Sequence, residues 1–106
     1  MEPNCCICLR NDCFIDLVKG LMISPNFRVT LPKTSQLLLL RLSSDLGQPV
    51  THRDLEIYIW GYSEYIYSNL VQLCVHRTRK LIELDYQHPK HIITVHRTGY
   101  LLRTKQ

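Results

Sequence analysis

The sequence predicts an α+β domain in which an antiparallel sheet comes first, three helices follow and a β-hairpin ends the chain. Apolar residues alternate at short period before residue 32, then recur at helical spacing up to residue 83, with cap and stop residues at the breaks. A last pair of apolar runs, His91 to Val95 and Tyr100 to Arg103, flanks the turn-forming His96-Arg97-Thr98-Gly99. The 106 residues fit a single domain over 1–106, with 1–12 as either an extra strand or an N-terminal extension.

In the sheet, Ile15 and Leu17 share one face, and Phe27, Val29 and Leu31 alternate with Arg28 and Thr30. Lys19-Gly20 and Ser24-Pro25-Asn26 supply the turns, and Ile7 and Leu9 suggest a further strand. Thr34 or Ser35 is the expected cap of a first helix that turns Leu38, Leu39, Leu42 and Leu46 inward and stops at Gly47 and Pro49. Thr51 caps the second helix, with Asp54 at the capping-box position, Leu55, Ile59 and Trp60 inward and Gly61 at its end. After an aromatic loop, Tyr62 to Tyr67, Ser68 or Asn69 begins a third helix that buries Leu70, Val71, Cys74, Val75 and Ile82. Its other side shows Gln72, His76, Arg79 and Glu83, flanked by Arg77 and Lys80.

Composition excludes several classes. With 45% hydrophobic and 21% charged residues, the chain can bury a core and lacks the signature of disorder. No stretch approaches the roughly 18 apolar residues of a membrane span, since Leu37 to Leu40 is broken at once by Arg41. Met1-Glu2-Pro3-Asn4 has none of the basic and apolar character of a secretory signal, which points to the cytoplasm. The five cysteines are then expected to stay reduced. Cys5, Cys6, Cys8 and Cys13 raise the question of a soft-metal or redox site, but two C-x-x-C pairs and a neighbouring histidine are missing. Buried thiols are the simpler reading, and no metal or other cofactor is expected.

Charge is distributed unevenly. Met1 to Asn69 carries six basic and seven acidic residues, a net of −1, whereas Leu70 to Gln106 carries seven basic and two acidic, a net of +5. His76, His88, His91 and His96 join that last third, which suits a polyanion partner. A short helix, a loop and a longer helix with one apolar and one Gln/His/Arg side form the layout of a helix-turn-helix reader of the major groove.

The ordered set Val50-Thr51-His52-Arg53-Asp54-Leu55, Ile59-Trp60-Gly61, Arg79-Lys80-Leu81 and Ile93-Thr94-Val95-His96-Arg97-Thr98-Gly99-Tyr100 resembles the OmpR/PhoB-type winged-helix DNA-binding domain, within it the ToxR/CadC-like transcription regulators. The resemblance runs from about Cys13 to Arg103. It implies a sequence-specific regulator of transcription that binds double-stranded promoter DNA, with the third helix in the major groove and the hairpin, or wing, on the minor groove or backbone. By position it implies DNA contacts from Gln72, His76, Arg77 and Arg79, from Lys80 toward phosphate, and from His96, Arg97 and Thr98 in the wing. It also implies that the loop of Tyr62, Ser63, Glu64, Tyr65, Ile66 and Tyr67 meets RNA polymerase or a partner regulator.

Some features depart from the family pattern. The 106 residues leave no room for a receiver domain or for a transmembrane and periplasmic part. Arg97 stands where many response regulators have Gly, and Cys74 and Thr78 stand where the third helix usually has longer side chains, which leaves its register open by one residue. Gly99 is expected to serve an unusual backbone angle, and Trp60 and Tyr100 to join the core. No nucleophile and base, phosphate-cradling glycine loop or carboxylate pair suggests an enzyme. The rival reading, motivated by a pI of about 8.9, is a winged-helix interaction module that modulates another regulator or RNA polymerase without touching DNA. The expected state is a weak monomer or a dimer formed with the help of DNA.

Overall fold

Four strands, β1 (Cys6–Arg10), β2 (Cys13–Asp16), β3 (Leu21–Ser24) and β4 (Phe27–Thr30), pair in that order as an antiparallel meander in the computed structural model, which describes residues 6–61 and 69–104. Their register sets Ile7 opposite Ile15, Ile15 opposite Met22 and Met22 opposite Val29, so one apolar row crosses the sheet toward the helices. Gly20 closes the β2–β3 turn at φ +69°, and Asp16 Oδ1 accepts from the N–H groups of Val18 and Lys19. Phe27 departs from the expected alternation: at the turn end of the edge strand it is half exposed, with Leu31 taking the buried position.

Helix α1 (Lys33–Ser44) begins differently from expectation. Pro32 is the residue ahead of the first turn and no side chain caps it; Thr34 and Ser35 lie inside the helix. Pro favours this boundary because its φ is preset and it has no N–H to satisfy. Gln36 fastens the helix to the sheet, its Nε2 donating to the carbonyls of Leu17 and Val18. Leu38, Leu39 and Leu42 are fully buried, but Leu46 lies beyond the helix end and is exposed.

Strand β5 (Val50–Thr51) was not legible in the sequence. Helix α2 (His52–Trp60) follows at once, and here the local signals hold: Thr51 Oγ1 accepts from the Asp54 N–H at 3.1 Å. Gly61 ends it at φ +84°, donating to Ile57 O. Leu55 is fully buried, while Ile59 and Trp60 pack partly buried against the core.

Helix α3 (Leu70–Ile82) packs Val71, Cys74, Val75, Thr78 and Ile82 inward. That settles its register and explains its small residues, which bring α3 close to α1. Cys74 Sγ reaches Thr34 O, and Thr78 Oγ1 lies 2.6 Å from Ser35 Oγ and 2.7 Å from Cys74 O. A hydroxyl has one proton, so Thr78 donates to the carbonyl and accepts from Ser35. Leu70, expected in the core, is over a third exposed at the first turn. Asn69 precedes the helix without a side-chain cap, and the alternative cap Ser68 lies outside the described residues. The chain ends in β6 (Ile92–Val95) and β7 (Gly99–Leu102), and β7 lies between β5 and β6 in a second antiparallel sheet.

Candidate nucleic-acid interface

Because α3 commits one face to the core, its opposite face is presented outward. Gln72, Leu73, His76, Arg77 and Lys80 are all exposed there. At about 100° per residue, Leu73 and Lys80 fall on the line opposite the core, with His76 and Arg77 on either side. Leu73, 40% exposed, was missed in the sequence because an apolar residue on a helix reads as core. The signal was its seven-residue spacing from Lys80, which puts both on one line.

Two further residues of the sequence-derived polar side are placed differently. The Arg79 guanidinium is half-buried and donates to Ile92 O from Nε and Nη2 and to Thr94 Oγ1 at 2.9 Å. It also lies 5.7 Å from the centre of the Tyr100 ring. Burial lowers the Arg79 pKa, opposed by Tyr100 and Glu83, and the group stays charged. Arg79 therefore fastens the hairpin to α3. Glu83, expected on the outer side, is buried: its carboxylate accepts from the backbone N–H groups of Lys90, His91 and Ile92 at 2.9, 3.0 and 2.9 Å. Helical periodicity could not show this, because Glu83 is already past the last helical turn.

Tyr100 is buried as expected. Its ring stacks on His52 at 5.2 Å, and burial raises its hydroxyl pKa against the opposing charge of Arg79. Tyr86, from the loop after α3, was also missed. It meets the His76 ring edge-on at 5.7 Å and lies 5.3 Å from Lys80 Nζ, restricting both outward side chains.

His96, Arg97 and Thr98 are exposed at the hairpin turn, where Thr98 N–H donates to Val95 O. The turn's left-handed residue is Arg97, at φ +61°, and not Gly99. Glycine is required at 99 for another reason. A Cβ there would collide with Val50 O and lie 2.9 Å from both Thr51 Cα and Val50 C, so the missing side chain lets β5 pair with β7.

The loop residues Tyr62, Ser63, Glu64, Tyr65, Ile66 and Tyr67 lie outside the described residues, as does Cys5. Cys6 is exposed, Cys8 half-buried, and Cys13 and Cys74 buried. Burial pushes the Cys74 thiol up, against hydrogen bonds to Thr34 and Thr78 and the charge of Arg77, which makes it a poor nucleophile. Among the described residues no three His, Cys, Asp or Glu side chains are grouped to hold a metal ion.

Residues 26–102 match the family described as "Transcriptional regulatory protein, C terminal". The "Probable transcriptional regulator ycf27" of Guillardia theta is 33% identical over 91 residues, which make up 84% of this chain and 36% of that protein. The chain thus spans little more than a third of that relative's length. Response regulator DrrB of Thermotoga maritima, an OmpR/PhoB homolog, is 31% identical with a TM-score of 0.73, covering 87% of this chain and 42% of its own. The DNA-binding domain of Klebsiella pneumoniae RstA, crystallised in complex with RstA box, is 24% identical with a TM-score of 0.75, covering 87% and 91%.

Proposed function

Since the chain belongs to the family of C-terminal domains of transcriptional regulatory proteins, of OmpR/PhoB type and not an enzyme family, we propose that it binds double-stranded promoter DNA sequence-specifically. In this reading α3 enters the major groove and the β6–β7 hairpin is a wing on the minor groove or backbone. One observation carries it: an amphipathic α3 whose outward face joins Gln72, His76, Arg77 and Lys80 to an exposed Leu73, with Arg79 tying the wing to the same helix. RstA, crystallised with its DNA box, has the same fold, which supports the reading.

The outward side chains then divide between bases and backbone. Arg77 makes paired hydrogen bonds to guanine and Gln72 to adenine, while Leu73 offers apolar surface to a thymine methyl. Lys80, His96, Arg97 and Thr98 contact phosphate or the minor groove. Arg79 is recast as a positioning residue. Contact of Tyr62, Glu64, Tyr65 and Tyr67 with RNA polymerase or a partner regulator rests on the family resemblance, and a cytoplasmic location and a weak monomer that pairs on DNA belong to the same reading of the chain as a transcription regulator. Among the described residues no helix is long and apolar enough to cross a membrane.

The test is fluorescence anisotropy across a salt series, using a duplex selected from a random pool and a scrambled control. Affinity is expected to fall steeply with salt and to favour the selected duplex by about a thousandfold or more. Arg77→Ala should cost about 1–3 kcal/mol on the selected duplex, whereas Lys80→Ala should weaken both duplexes alike. Equal, salt-insensitive binding would defeat the proposal. No binding at low salt would favour the interaction module.

Arg97→Gly separates stability from function. Removing the side chain from a left-handed position relieves about 1 kcal/mol of strain, partly offset by the greater freedom of glycine in the unfolded chain. The melting temperature should hold or rise slightly while duplex affinity drops about tenfold, as for other lost Arg contacts. A variant that binds as tightly as the parent would remove Arg97 from the interface.

A further inference from the structure

An open groove of about 330 Å³ lies where three segments meet: Arg10 and Asn11 at the β1–β2 turn, Lys90 and His91 ahead of β6, and Arg103 and Thr104 after β7. None of these residues belongs to the outward face of α3 or to the hairpin turn. The volume is at the lower end of the roughly 300–1,000 Å³ of small-molecule sites. Four of the lining side chains are basic and none is acidic.

Their hydrogen bonds leave donors available. Arg10 Nη1 donates to Ile82 O at 2.9 Å, which anchors its guanidinium at the groove wall. His91 Nδ1 lies 2.9 Å from Arg103 O and so carries the proton, which ties the segment ahead of β6 to the end of β7 and spends the ring's donor. Lys90 Nζ and the Arg103 guanidinium have no partner among the described residues. Glu83 lies against this loop, but its two oxygens are taken by the N–H groups of residues 90, 91 and 92. Three permanent cations against one carboxylate leave two positive charges at a site with Leu9 as apolar lining.

We infer that this groove binds a phosphate-bearing small anion of the phosphomonoester class. A guanidinium fork matches two phosphate oxygens, an ammonium adds a point charge, and the dianion balances the two uncompensated charges. The groove also sits at the root of both candidate DNA-reading elements, since α3 ends at Ile82 and the hairpin runs from Ile92 to Leu102. An occupant would hold that root together. This consequence rests on the DNA-binding reading, whereas the anion site does not.

The experiment is a titration of the ¹⁵N-labelled chain with AMP, inorganic phosphate and adenosine, followed by ¹H–¹⁵N correlation spectra. AMP should give saturable shifts at the amides of Asn11, His91, Arg103 and Thr104, inorganic phosphate weaker shifts at the same amides, and adenosine none. Lys90→Ala/Arg103→Ala removes two exposed side chains that have no partner among the described residues, so the fold persists, and AMP affinity should fall at least tenfold. Arg77→Ala should leave it unchanged. AMP shifts confined to α3 and residues 96–98 would overturn the groove while supporting DNA contact there. Shifts nowhere, or shifts equally strong in the double variant, would also overturn it. The duplex titrations above are read separately, so failure of either proposal is distinguishable from failure of the other.

Discussion

Gly99→Ala should lower the melting temperature by about 12 °C or more, from a loss of about 3 kcal/mol at roughly 4 °C per kcal/mol for a domain of this size. The new methyl would point at backbone: Val50 O, with Val50 C and Thr51 Cα at 2.9 Å. A flexible side chain could swing away, but a paired strand cannot. Either β5 moves off β7, leaving Val50 and Tyr100 without the ladder that buries them, or the hairpin tilts. Gly47→Ala provides the contrast, because Gly47 has a φ of +80° and open space around its Cβ position. It should cost only about 1 kcal/mol, the usual penalty for a left-handed non-glycine. Circular-dichroism melts of both variants decide the matter. Equal, small losses would show that close approach is not why residue 99 lacks a side chain.

Position 99 also shows what a sequence can and cannot reveal. The glycine was legible as a structural requirement, but its reason depends on a strand 49 residues earlier that exists only through pairing with β7. Helix α2 was legible because its signals are local: Thr51 receives the Asp54 N–H three residues on, and Gly61 closes the other end. The start of α1 was misread because Thr34 and Ser35 resemble caps, whereas Pro32 marks the boundary and Ser35 is drawn inward by Thr78. Leu46 matched the period but lay past the helix stop.

The candidate interface divides along the same line. Helical spacing placed Gln72 and His76 outward with Arg77 and Lys80 at the flanks, and the structure brings all four to the exposed face of α3. Spacing could not show that Arg79 turns toward the hairpin, because its acceptors, Ile92 O and Thr94 Oγ1, lie 13 and 15 residues on. Residue type alone did not separate Leu73 from the core leucines; only its place on the line of Lys80, opposite the buried face, sets it apart.

Glu83→Ala is expected to cost about 3 kcal/mol, since charged hydrogen bonds contribute roughly 1.5–3 kcal/mol each and part of this loss is recovered by hydration. A carboxylate just past a helix C-terminus faces the unfavourable end of the dipole, so its position needs another cause. Three backbone N–H groups supply it. Those of Lys90 and His91 can reach water once the carboxylate is gone, but that of Ile92 is buried and would lose its acceptor. Glu83→Gln should cost less, about 2 kcal/mol, because it keeps one acceptor oxygen while turning an amide N–H₂ toward a donor. Hydrogen exchange at the amides of residues 90, 91 and 92 should accelerate most in Glu83→Ala and to an intermediate degree in Glu83→Gln. The same release would loosen the segment leading into β6, so duplex affinity should fall although Glu83 touches no DNA. Unchanged exchange at Ile92 in Glu83→Ala would mean that another group holds the root of the hairpin, and Glu83 would lose its role as the anchor between α3 and the wing.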